Sequence, residues 1–135
     1  ARDLLIAFYR LYFPATGELA RSRRPYPSSL PEVLAQFEGN NYLGDLTRLK
    51  SLLDNLGCGI PTLYKQYTEL CEPGGVSFID FGIDPDFADC VDGLVLVDLD
   101  KLKPSRFARY IAPYLPAAAD DDEHEGEQSP SDHAA

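Results

Sequence analysis

The sequence predicts one α/β (α+β) domain built as a helical hairpin, two buried strands and a terminal helix. Three observations carry that expectation. Leucines at 43, 46, 49, 52, 53 and 56 fall on one helical face, and a short Gly59-Ile60-Pro61 joint leads into a second helix. Two runs rich in β-branched and apolar residues, 76–83 and 93–99, have the composition of strands. Beyond them Phe107, Tyr110, Ile111 and Tyr114 recur at helical spacing after Asp100 and Pro104.

The elements follow in order. Leu4, Leu5, Phe8, Tyr9 and Tyr12 make an apolar helix face, closed by Pro14 and Gly17. Residues 20–31 hold Arg21, Arg23 and Arg24 followed by four prolines or serines before Pro31, and read as a flexible connector. Pro31 suits the first turn of a short helix over 31–37. Asn41 is a natural cap for the leucine helix, and Gly57 stands where a left-handed residue would end it. The next helix turns Leu63, Tyr64, Tyr67, Leu70 and Cys71 inward and stops at Pro73-Gly74-Gly75. In the first strand, Val76 and Phe78 share one face while Ile79, Phe81 and Ile83 share the other. Both strands are apolar on both faces, which implies burial. The loop between them fits an antiparallel pair or a longer crossover. The domain spans 1–116, and 117–135 is expected to be a disordered acidic tail.

Composition limits the function. The 135 residues suffice for one domain with a core of its own, and 44% are hydrophobic. The net charge of −10 is uneven: 120–135 holds seven acids and no Lys or Arg, leaving 12 bases against 15 acids elsewhere, a net of −3. Only Arg21, Arg23 and Arg24 cluster, which argues against a nucleic-acid partner. No apolar run reaches the roughly 20 residues needed to span a bilayer. Cys58, Cys71 and Cys90 are odd in number and widely spaced, so they read as small hydrophobes in a reducing compartment. There is no Met, and the chain opens inside a helical pattern; a piece of a longer protein is the expectation.

The chemistry on offer is narrow. Both histidines, His124 and His133, fall in the acidic tail, so no imidazole base is expected in the body. Asp84, Asp86, Asp89 and Asp92 resemble the start of a calcium loop, but Ala88, Asp89 and Val95 occupy positions where a ligand, a glycine and the last ligand belong. Strand-end capping is the simpler role for Asp84 and Asp92. Gln36-Phe37-Glu38-Gly39-Asn40-Asn41 resembles the Q/R-x-x-G-x-G/A loop with which GCN5-related acetyltransferases hold a coenzyme A pyrophosphate, except that Asn41 replaces the last Gly/Ala and no strand precedes it. Tyr64 can serve as a general acid that protonates a leaving thiolate, and Lys65 beside it can hold a carboxylate or phosphate. Arg21, Arg23 and Arg24 match phospholipid headgroups or an acidic carrier protein; a solvated charge run is the alternative.

Ordered blocks then carry a resemblance: Ile60-Pro61-Thr62-Leu63-Tyr64-Lys65-Gln66-Tyr67, Phe81-Gly82-Ile83-Asp84-Pro85-Asp86-Phe87, Asp92-Gly93-Leu94-Val95-Leu96-Val97-Asp98-Leu99-Asp100 and Arg109-Tyr110. Within them are a P-x-L-x-x-x-Y helix (Pro61, Leu63, Tyr67), a D-x-x-F loop (Asp84, Phe87) and an L-D-x-L-x-P strand end (Leu99, Asp100, Leu102, Pro104). Residues 41–111 thereby resemble the carboxy-terminal part of the haemolysin-like, ornithine-lipid-type acyltransferases. That family has the GCN5-related N-acyltransferase fold and is often fused to a phospholipid-synthesis acyltransferase domain. The family's earlier strand and pyrophosphate loop are not recognisable here.

The resemblance implies acyl transfer to an amine or lysolipid acceptor. The co-substrate would be an acyl-carrier-protein or acyl-CoA thioester, with no covalently bound cofactor. Backbone N–H groups freed by splayed strands would stabilise the oxyanion. Tyr64 would be the catalytic acid, and Lys65, Asp84, Asp92, Arg21 and Arg24 would bind substrate. Phe78, Phe81, Phe87 and Leu94 would line an acyl channel, or simply form core. The implied location is cytoplasmic, with peripheral contact on the inner membrane face. A non-catalytic protein-docking module is the alternative reading.

Overall fold

In a computed structural model, residues 1–116 are described, and the chain folds as mixed α+β. The expected disordered tail at 117–135 lies outside the described residues. Among the described residues five α-helices are formed: α1 (Arg2–Tyr12), α2 (Pro31–Leu34), α3 (Tyr42–Asn55), α4 (Thr62–Thr68) and α5 (Pro104–Tyr110). Between α4 and α5 lie β1 (Val76–Asp84) and β2 (Cys90–Val97), paired antiparallel, with short 3-10 turns at Pro85–Phe87, Leu99–Lys101 and Ala112–Tyr114.

The core is a chain of aromatic rings around α1. Ile6, Ala7, Phe8 and Tyr9 are all buried, so α1 is enclosed on more than one side. Phe8 meets Phe37 and Tyr42, while Tyr9 meets Phe78 and Tyr64 at centroid separations of 5.1 and 5.3 Å. Such tilted and edge-on pairs add to the area each ring buries. The helical hairpin is looser than the sequence implies. α3 packs on α1 through Leu49 and Leu53, and α4 reaches α1 through the Tyr64 ring, so each helix turns toward α1 rather than toward the other. Asn41 does cap α3, its Oδ1 accepting from the Gly44 amide at 3.0 Å, and Gly57 takes φ +71° just beyond it.

The strands differ from expectation in two ways. Register breaks between Phe78 and Asp80, where Ile79 has no partner on β2. This bulge shifts the alternation by one residue and puts Phe81 on the same face as Phe78. Their rings stack 5.2 Å apart at 11°, both buried, where strict alternation had separated them. β2 is not buried on both faces. Val91 and Val95 pack inward, but Leu94 is 53% exposed, because among the described residues no layer lies over the outer face there. Exposure also corrects two helix faces: Leu63 and Tyr67 of α4, and Phe107, Tyr110 and Tyr114 toward the end, all reach solvent. α5 makes its main contacts with the turn that follows it and brings little surface to the core.

β1 is the internal strand. Its second edge is covered by the chain before α2: Phe78 N–H donates to the Phe13 carbonyl (2.9 Å), Tyr26 N–H to Phe81 O (2.8 Å) and Ile83 N–H to Arg24 O (2.9 Å). The arginine connector is therefore not free chain. Ser22 N–H donates to Asp80 Oδ2 at 2.6 Å, tying the same segment down. Gly82 makes this approach possible, since a Cβ there would lie 2.9 Å from Ser22 Cβ and 3.4 Å from Arg24 O. Gly82→Val should lever the connector off β1 at a cost of about 1–3 kcal/mol. Urea midpoints and trypsin cleavage after Arg21 and Arg23 check this; an unchanged midpoint and cutting rate would show that the connector is not held there.

Candidate functional site

Tyr64 lies on α4 beneath β2. Its ring edge meets Tyr9, and its hydroxyl lies 3.1 Å from where a Cβ on Gly93 would stand. A side chain at that position would displace the phenol, so the absence of one at Gly93 lets α4 close on the sheet. Among the described residues the Tyr64 hydroxyl donates to none. Burial pushes its pKa above the ordinary 10, and the charges of Cys90 and Asp92 push it further the same way. The phenol is thus protonated throughout the neutral range.

The other candidates divide between places. Asp92 pairs with Gly82 on the outer face of the hairpin, opposite to the side on which Gly93 meets Tyr64. There it lines a groove of about 290 Å³ with Asp80, Leu94, Ser22 and Arg21. The structure thereby brings Arg21 and Asp92 together, although they are far apart in sequence. Arg21 also pairs with Glu18 in the open. Arg24 is exposed and contributes its carbonyl to β1, while its side chain does not line that groove. Asp84 sits at the hairpin turn, where its Oδ1 accepts from Asp86 N–H at 3.0 Å and caps the Pro85–Phe87 turn. No group of three or more His, Cys, Asp or Glu gathers as a metal site among the described residues. Phe78 and Phe81 are core, whereas Phe87 and Leu94 are exposed, so the four do not line one channel.

Lys65 faces a different cleft. Residues 70–72 and 101–103 pair through Glu72 N–H to Lys101 O (2.8 Å) and Lys103 N–H to Leu70 O (3.0 Å), with a Cys71–Leu102 bridge between them. This clamp holds the end of α4 beside the start of α5. The cleft left between the helices is about 500 Å³ and is lined by Lys65, Tyr67, Glu69, Arg106, Arg109 and Tyr110, among others. The guanidinium of Arg109 lies over the Tyr110 ring at 5.3 Å.

The glycine-containing loop before α3 holds a carboxylate of its own. Glu38 N–H donates to Asp45 Oδ1 at 2.9 Å and Gly39 N–H to Asp45 Oδ2 at 2.8 Å, and the Tyr12 hydroxyl donates to the same carboxylate. The amides that would cradle a pyrophosphate are therefore occupied by Asp45. Burial works to raise the Asp45 pKa, but the three donors outweigh it and the carboxyl sits below its ordinary value. A depressed carboxylate contributes stability above its unfolded pKa of about 3.9, and that contribution is lost as pH falls through the folded value. The stability gap between the wild type and Asp45→Asn should accordingly be widest near neutrality and close in acid. Urea titrations across that range check it, and a gap that does not narrow as the pH falls would mean the charge is not what holds the loop.

Sequence reasoning passed over Asp45 and Arg106, and took Arg109 only as part of the family resemblance, with no site role. A charge on the buried face of the leucine helix, and two arginines three apart on the last helix, were the available signals. Comparison with known proteins adds no relative: no family model matches the chain, and no curated protein or solved structure matches it.

Proposed function

We propose that the chain is part of a lipid-directed acyltransferase of the GCN5-related kind, moving a fatty acyl group from an acyl-carrier-protein or coenzyme A thioester to an amine or lysolipid acceptor. The observation that supports this reading is the Tyr64 phenol, half-buried, held protonated and donating to no described residue. An amine attacking a thioester carbonyl forms the C–N bond and breaks the C–S bond. Tyr64 gives its proton to the departing sulfur and regains one from the nitrogen, so proton count and charge balance. Arg21 and Asp92 share the outer groove on the face of the hairpin opposite Tyr64 and so stand away from the reacting atoms, while Arg24 would face anionic headgroups on the inner face of the membrane. No helix among the described residues is long and apolar enough to cross that membrane.

Free thiol release tests the reading. The chain and the full natural polypeptide are each given acyl-carrier and coenzyme A thioesters with a panel of amines and lysolipids. Acceptor-dependent release is the expected result, and none with any pair would end the proposal.

A docking module remains the second reading because β2 pairs only with β1 among the described residues and turns Leu94 and Leu96 outward beside its unpaired edge. Thiol release that stays absent while the chain binds the carrier protein would favour it.

A further inference from the structure

We infer that the cleft between α4 and α5 is a binding site for a phosphate ester, held by Lys65, Arg106 and Arg109. Three cations against one acid, Glu69, line a single cleft in a chain whose overall charge is strongly negative. None of the three has a carboxylate within ion-pair distance among the described residues; the one ion pair there, Arg21–Glu18, is on the connector. Like charges gathered without counter-charge repel, and an anion between them relieves that repulsion.

The chemistry of the ligand follows from the lining. Guanidinium forks match phosphate oxygens in pairs, and a phosphomonoester carries close to two negative charges at neutral pH, which suits the local excess of two positive charges. The volume of about 500 Å³ is that of a small-molecule site. Tyr67 and Tyr110 supply ring faces for the organic part of the ester, with Arg109 already stacked on Tyr110. The backbone clamp at 70–72 and 101–103 fixes the two walls relative to each other, so the cations stand together before any ligand arrives. Neither Tyr64 nor Asp92 lines this cleft, so the inference does not depend on acyl transfer.

The phosphate can belong to a soluble ester or to a lipid headgroup, and the test separates them. The full chain is titrated with phenyl phosphate at low salt, and in parallel sedimented with phosphatidylcholine vesicles with and without phosphatidic acid. Saturable phenyl phosphate binding, weakened about tenfold or more by Arg106→Gln and by Arg109→Gln, is expected for a soluble ester. The same arginine dependence seen only with phosphatidic acid vesicles would assign the lipid source. Lys50→Gln, exposed on α3 and outside the cleft, should leave either signal in place. No saturable binding to either probe overturns the site, as does binding that Lys50→Gln weakens as much as the cleft variants do.

Discussion

Phe81→Ala will destabilise the fold by about 3–5 kcal/mol, the range for emptying a well-packed aromatic site. Phe81 is 1% exposed, stacks on Phe78 and lies beneath the guanidinium of Arg10 at 5.6 Å. Arg10 in turn donates to the carbonyls of Tyr26 and Pro27, so one ring joins the hairpin, α1 and the connector. A domain of this size commonly has only about 5–15 kcal/mol in hand, so the melting temperature should fall by many degrees. Phe87→Ala, at a position 71% exposed, should stay within about 0.5 kcal/mol of the wild type. If Phe81→Ala fails to fold, Phe81→Leu keeps the comparison measurable through its urea midpoint. Equal costs at 81 and 87 would show that the hairpin does not pack as described.

That contrast marks where the sequence stopped being legible. Positions 78, 81, 87 and 94 are alike in composition, and alternation alone places 78 and 81 on opposite faces. A bulge is one unpaired residue, and its signature in the chain is no stronger than any isoleucine; only the partner strand reveals that Ile79 is skipped. Local signals fared better. Asn41 capping α3, Gly57 beyond it, Pro31 opening α2 and the turn after Asp84 all depend on neighbours a few residues away, and all stand where the residues imply.

Long-range choices were the ones hidden. The connector reads as loop because of its prolines, yet Arg24 and Tyr26 offer a carbonyl and an amide that β1 takes up along its second edge. The last helix has an apolar stripe, yet among the described residues it meets no surface that would bury it, so Tyr110 and Tyr114 are exposed there. For the candidate site, the sequence marked Tyr64 and Lys65 as one unit because they are adjacent. Adjacent residues on a helix diverge by about 100°, and here they serve different surfaces: one lies beneath Gly93, the other lines the cleft against α5. Arg21 and Asp92 are distant in sequence and are brought into one groove by the hairpin.

Tyr64→Phe separates a catalytic phenol from a packed ring. Because the hydroxyl donates to no described residue, removing it should change stability by under about 1 kcal/mol, while the ring keeps its place against Tyr9 and Phe78. If the phenol protonates the leaving sulfur, thiol release should fall by about 10²–10⁴-fold, in kcat more than in KM. The loss should depend on the leaving group: an aryl thioester, whose thiolate leaves unaided, should recover most of the wild-type rate, whereas an alkyl thioester should not. The pH profile carries the same signature, since burial and the neighbouring Cys90 and Asp92 hold the phenol above its ordinary value, so the wild-type rate should not lose its acid until the solution is more basic than pH 10. Tyr67→Phe, a hydroxyl on the same helix that lines the α4–α5 cleft, should leave thiol release unchanged. A Tyr64→Phe chain that releases thiol at the wild-type rate from an alkyl thioester would make the residue part of the core alone and remove the general acid from the proposed mechanism.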